Sequence, residues 1–356
     1  MERSMEHTLI VRAKTAAALG RFSRLPAFIL LGILPLVAQN AKQENPQDHT
    51  QDQTPVFRAQ SNVVLVPALV KDSHGKILYG LEAKDFILED NGVEQTVQLD
   101  EVAESQPISV IVAVQVGRRA DHELPRMIGL ASMLDPILNQ PGAEAAVVTF
   151  DSGTTLAQDF TGNSNTVENA LRQLQPGDGG AAILDTVHYS ANLLSKLPSN
   201  RLRVILLVSE TRDHGSHSTK IEDLITQIGD SNIAVYALAF SPSISNILDT
   251  ERGSNKDEMT LSPDLLAPIL MMAAAMKKNI PKTIASMTGG EYELFESRKG
   301  FETYLNDFDN HLHSRYLLSF QPKDPKPGLH EIHVRLRSGS ASVMARSNYW
   351  AEAPVQ

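Results

Sequence analysis

Three runs of this sequence, Ile108–Val116, Leu202–Val208 and Ile233–Phe240, are apolar at nearly every position and rich in β-branched residues. A strand that is apolar throughout has no face to offer water, so it belongs in a sheet covered on both sides. Between these runs lie segments with apolar residues at helical spacing, which predict helices at Leu124–Leu138, Val167–Leu174, Ala182–Leu197 and Ile221–Gly229, with a further strand at Ala145–Phe150. The succession predicts an α/β fold around a doubly wound, mainly parallel sheet. In such sheets the binding crevice lies beyond the carboxyl ends of the strands.

The rhythm differs on either side. Over 56–105, Val64, Val66, Ala68 and Val70 alternate as in a strand, and two short strands flank Asn91-Gly92, a pair suited to positive φ at both turn positions. Tyr316–Gln321, Gly328–Arg337 and Ala341–Tyr349 read as three more strands. The expected organisation is therefore an N-terminal β-unit (56–105), an α/β domain (106–314) and C-terminal strands (315–351) that pair with the first unit. Within the α/β domain, 241–280 interposes a polar stretch and a Met/Ala-rich helix, Pro263–Lys278, followed by helical sequence up to Met287 and a helix over Phe301–Ser314. The group Met271, Met272 and Met276 suits core or lid packing, with a partner groove as the alternative.

The N-terminal segment has the order of a secretory signal: Arg3, Arg12, Lys14, Arg21 and Arg24, then the apolar run Leu25–Val37, ending at Ala38-Gln39. That run is shorter than the roughly 20 residues a membrane-crossing helix needs. Residues 1–38 thus read as a signal peptide and the protein as exported: periplasmic, surface-bound or secreted. An uncleaved N-terminal signal-anchor is the alternative, and the one expected link to a membrane. Residues 39–55, almost without apolar side chains, read as a disordered linker.

Charge and composition exclude several classes of function. The net charge is −10, and removing the basic first segment leaves the rest more acidic still, so binding to a phosphate backbone is not expected. The absence of cysteine removes disulfides, thiolate nucleophiles and Cys-based zinc sites. The chain has neither a Gly-x-Ser-x-Gly elbow nor a Walker loop, and Gly177–Gly180 lacks the following Lys-Ser/Thr that would cradle phosphate. Of the histidines, His311/His313 and His330/His333 are not spaced to meet on one metal; His214 and His217 share a loop that reads as plain surface, with a pair pointing together as the alternative. Neither an enzyme nor a small-molecule cofactor is indicated.

The strand ISVIVAVQVG (108–117), the turn GDGGAAILDTV (177–187) and ILLVSE (205–210) together resemble the von Willebrand factor A domain, a three-layer Rossmann-like fold. The framing segments GLEAKDFILEDNGVEQTV, SMTGGEYEL, SRYLLSFQPKDPKPGLHEIHVRL and ARSNYW resemble a von Willebrand A-related family of exported bacterial proteins known chiefly from Acidobacteria, so that the likeness spans Val56 to Ala351. The resemblance implies a metal-ion-dependent adhesion site, in which an Asp-x-Ser-x-Ser loop, a Thr and a later Asp hold Mg²⁺ for a partner's carboxylate. Aligned on Gly117, the Asp position falls on Val114, the serines on Val116 and Arg118, the Thr on Ala181 and the later Asp on Glu210.

Only Glu210 keeps an oxygen ligand, and hard divalent ions require oxygen. A shift by one residue brings Gln115, not a carboxylate, to the first position. The site thus reads as degenerate, with no metal expected. Asp185, Glu210 and Asp213 leave a displaced Mg²⁺ site as an alternative. Arg118 or Arg119 either pairs with Glu210 in place of the metal or points into solvent. The expected function is protein binding of the adhesion type, to a protein or cell-surface partner, through loops bearing Arg118, Arg119, Asp213, His214 and His217. The second reading is an envelope structural or assembly protein with a vestigial site.

Overall fold

The structure, a computed structural model, describes residues 63–100, 106–117, 130–240, 267–295, 298–323 and 326–352. The signal and linker segments, Arg118 and Arg119, the first turns of the helix expected from Leu124 and the polar stretch after Phe240 lie outside the described residues. In chain order the strands are β1 (Val64–Lys71), β2 (Phe86–Asp90), β3 (Val93–Glu94), β4 (Gln98–Asp100), β5 (Ile108–Gln115), β6 (Glu144–Phe150), β7 (Thr154–Thr161), β8 (Leu202–Ser209), β9 (Ile233–Phe240), β10 (Tyr292–Phe295), β11 (Tyr316–Phe320), β12 (Gly328–Leu336), β13 (Ser342–Ala345) and β14 (Asn348–Ala351). The helices are α1 (Leu130–Leu138), α2 (Ser164–Arg172), α3 (Ile183–Ser195), α4 (Ile221–Asp230), α5 (Ala267–Lys278), α6 (Ile280–Thr288) and α7 (Arg298–His313).

Six strands form the central sheet in the order β10-β9-β8-β5-β6-β7, all parallel except β7, which runs antiparallel to β6. Every residue of β5 is buried. Its side chains divide by parity: Ile108, Val110, Val112 and Val114 join the core under α1 and α7, whereas Ile111 and Ala113 join the core under α3, α4 and α6. Helices on both faces of a mainly parallel sheet make the three-layer, doubly wound α/β architecture. The chain steps from β5 to β6 on one side and returns as β8 on the other, which puts the topological switch at the carboxyl end of β5.

The flanking segments form two four-stranded antiparallel sheets, β13-β1-β11-β4 and β14-β12-β2-β3. Val66, Ala68 and Val70 of β1 face Phe86, Leu88, Ile332 and Val334 in their shared core. Each sheet mixes strands from before and after the α/β unit: β1 pairs with β11 (Val64↔Phe320), and β12 with β2 (Val334↔Leu88). The β2–β3 turn has Asn91 at φ 48° and Gly92 at φ 78°, the mirror-image turn expected of Asn-Gly.

Two features depart from the sequence reading. Strand β7 was not anticipated: it is a half-buried edge strand whose alternating exposure leaves no apolar run to see. The stretch expected as one strand, Ala341–Tyr349, is broken at Arg346-Ser347, so that β13 and β14 belong to different sheets. The α5/α6 break falls at Asn279, whose side chain caps α6 by accepting from the Lys282 amide at 3.0 Å.

Candidate binding site at the carboxyl edge of the central sheet

Gln115 ends β5 with the parity of Ile111 and Ala113, so its amide turns toward the α3 side of the sheet. There it meets Glu210, the residue just after β8. Gln115 Nε2 donates to Glu210 Oε1 at 3.0 Å, and Gln115 Oε1 accepts from the Glu210 amide at 2.9 Å. Both residues are buried, at 1% and 2% exposure. His214, exposed at the loop surface, brings Nε2 within 2.9 Å of the same Glu210 oxygen. The Glu210 carboxylate therefore faces an amide N–H and an imidazole across the switch point.

The other expected positions are placed differently. Val114 lies on the opposite side of the sheet from Gln115, in the α1/α7 core, and Val116 is buried at the strand end, its carbonyl taking the Gly177 amide at 2.5 Å. Ala181 is fully buried and offers only its carbonyl, to the His214 amide at 3.1 Å. Gly117 has no room for a side chain, since a Cβ there would come 2.3 Å from the Gly180 carbonyl oxygen. The glycine that anchors the alignment is thus needed for two loops to cross.

Asp213 and Asp185 act on backbone. Asp213 accepts from the Leu184 amide at 2.9 Å, from the Ser216 amide at 3.0 Å and from Ser216 Oγ at 2.6 Å. It caps the first turn of α3, which its own flanking residue Ala182 does not cap. Asp185, in the same first turn, takes the amides of His217 at 2.9 Å and Thr219 at 2.7 Å. Burial raises its pKa, but the donors at His217, Thr219 and Ser218 outweigh burial and hold the carboxyl below its ordinary value. The two aspartates fold 213–219 back onto α3, with the exposed side chains of His214 and His217 on its outer surface. In the neighbouring loop, the Gly180 amide and the Ser152 hydroxyl likewise lower the pKa of Asp178. Among the described residues no group of three or more His, Asp or Glu side chains is arranged to hold a metal.

Sequence reasoning singled out Glu210, Asp213 and His214, but not the Gln115–Glu210 pair or the tethers made by the aspartates. Strand parity held the signal for the first: a polar side chain in register with Ala113, at the end of an apolar strand, needs a buried partner.

Residues 118–217 match the family model of the von Willebrand factor type A domain. No curated protein matches the sequence. Among solved structures, the chain is similar to a von Willebrand factor type A protein from Catenulispora acidiphila at 9% identity, covering 83% of this chain and 75% of that one, with a TM-score of 0.42. It is similar to BatB from Bacteroides thetaiotaomicron at 11% identity, covering 58% and 98%, with a TM-score of 0.40. A third similarity is to proximal thread matrix protein 1 from the mussel byssus, solved with a zinc-occupied adhesion motif, at 12% identity and a TM-score of 0.41; it spans 63% of this chain but 49% of that one. Over residues 118–217 the chain carries a von Willebrand factor type A domain, a module that commonly mediates protein–protein binding.

Proposed function

We propose that this protein is an exported, non-enzymatic member of the von Willebrand A-related bacterial proteins. It would bind a protein or cell-surface partner through the loops at the carboxyl edge of the central sheet, without a bound metal. The observation that carries the reading is the Gln115–Glu210 pair. A hard divalent cation needs several oxygens converging on it, and here the single retained carboxylate is met by an amide N–H and an imidazole. Val114 and Ala181 add no side-chain oxygen, and Asp185 and Asp213 spend theirs on backbone amides. The donor set does not fit Mg²⁺. Among the described residues no helix is long and apolar enough to cross a membrane.

The test has two arms. A ligand selective for the native state raises the melting temperature by mass action, so the full chain is melted with and without millimolar Mg²⁺ or Mn²⁺; no shift is expected, and a clear rise overturns the metal-free reading. Capture of a partner from cell-envelope extract, lost on doubling His214→Ala with His217→Ala, supports recognition through this edge. Capture undiminished by that variant overturns it.

A further inference from the structure

At the opposite, amino-terminal edge of the central sheet lies a cavity of about 260 Å³, bounded by the start of β1, the α4–β9 turn and β14. Its distinctive member is Arg346, at the break between β13 and β14, which is 7% exposed. The guanidinium donates from Nε to the Asn348 carbonyl at 3.0 Å, from Nη2 to the Gly229 carbonyl at 2.9 Å and from Nη1 to the Leu65 carbonyl at 3.5 Å. All three partners are neutral. Among the described residues no carboxylate stands within ion-pair distance of it. Burial, offset in part by the more distant Asp230, pulls its pKa down to about 10, so it remains a cation at neutral pH.

A buried cation is costly unless an anion completes it. Guanidinium carries five N–H donors, and the three carbonyls leave two for a further acceptor. Val64, Pro322 and Trp350 give the cavity apolar walls, while Asp230 and Glu352 stand exposed at its mouth. A plain anion would have to pass those two carboxylates. A ligand carrying both charges satisfies the two ends at once.

We propose that this cavity binds a small zwitterion, an apolar α-amino acid, with its carboxylate on Arg346, its ammonium toward Asp230 and Glu352, and its side chain against Trp350. The site is separate from the loops at the carboxyl edge and does not depend on their role.

The full chain is titrated calorimetrically, and melted, with the standard amino acids and with three analogues of leucine: leucinamide, N-acetylleucine and 4-methylpentanoate. Binding of one or more apolar amino acids is expected, with leucinamide weaker by roughly tenfold or more, as for loss of a charge-assisted hydrogen bond. N-acetylleucine and 4-methylpentanoate, which lack the ammonium, should also bind less well. Arg346→Lys should abolish binding. Because Arg346 also ties three carbonyls, the double variant Asp230→Asn, Glu352→Gln, both at exposed positions, serves as the second test. It should stay folded, with a slightly lower unliganded melting temperature because Asp230 helps hold the Arg346 cation, while erasing the preference for leucine over N-acetylleucine. Failure of every amino acid to bind at millimolar concentration, or equal binding of leucinamide, overturns the proposal; 4-methylpentanoate binding as well as leucine would reassign the cavity to simple carboxylic acids and overturn the zwitterion.

Discussion

Gln115 and Glu210 grip each other twice, side chain to side chain at 3.0 Å and side chain to backbone at 2.9 Å, across the gap between β5 and β8. An amide suits that position because it both donates to the carboxylate and accepts from the amide N–H. A leucine of similar shape does neither. Gln115→Leu should therefore destabilise the fold by about 1–3 kcal/mol, the cost of leaving buried polar groups short of partners. Thermal denaturation of the purified variant measures it, and an unchanged melting temperature would show the pair to be dispensable.

The 213–219 loop should be the next part of the edge to loosen when its tether is cut. Asp213→Ala removes the acceptor for the Leu184 and Ser216 amides. Hydrogen exchange at these amides should accelerate, with a loss of about 1 kcal/mol, typical of an N-cap. Exchange confined to 211–219 and the first turn of α3, with the central strands still protected, is the expected pattern.

Acid should act through Glu291, which lies between the α/β unit and the β-sheets. Its carboxylate faces His311 Nδ1 at 3.0 Å, Lys71 Nζ at 3.4 Å and Arg315 Nη2 at 3.5 Å. Burial raises its pKa, but His311, Arg315 and Lys71 together outweigh burial and hold it below its ordinary value. A depressed folded-state pKa contributes stability that is complete above the ordinary carboxylate range and is lost as pH falls through the lowered value. Glu291→Gln should cost about 3–5 kcal/mol at neutral pH, as for a broken buried pair. It should also flatten the acid limb of a stability-against-pH curve. A variant curve parallel to the wild type would mean that other carboxylates set the acid response.

The apolar strands were the legible part of this molecule. β5, β8 and β9 carry their own diagnosis, since residues buried on both faces need no context to be recognised, and the alternation with helices then fixes a three-layer α/β fold. Asn91-Gly92 was equally plain because few residue pairs take two positive φ angles. β7 was hidden because an edge strand covered on one side mixes Thr, Gln and Asp with Leu and Phe. The break at Arg346-Ser347 was hidden because it is held by contacts distant in sequence, the Ser347 amide on the Ser286 carbonyl and the Arg346 guanidinium on the Gly229 carbonyl. In the candidate site, Glu210 stood out by type, but its partner did not. Aligning on Gly117 drew attention to Val114, whereas the parity of β5 points Gln115 at the carboxylate.

Gly290 joins α6 to β10 where no side chain fits. A Cβ there would stand 1.9 Å from the Val235 carbonyl oxygen and 2.5 Å from its carbon, both backbone atoms of a central strand. Neither can move without disturbing the β9–β10 pairing, which begins at the Ala237 amide donating to the Glu291 carbonyl at 2.7 Å. Preceding it, Gly289 ends α6 at φ 76°, the left-handed conformation that glycine adopts without strain. Overpacking a rigid site costs about 1–3 kcal/mol or more, and the clash here is with backbone, so Gly290→Ala should fall at or above the upper end. Gly179→Ala is the matched control: nothing lies within 4 Å of its Cβ position, and its change should stay within about 0.5 kcal/mol. Equal melting temperatures for the two variants would mean that β10 can shift away from β9, and that the Glu291 cluster beside it tolerates the movement.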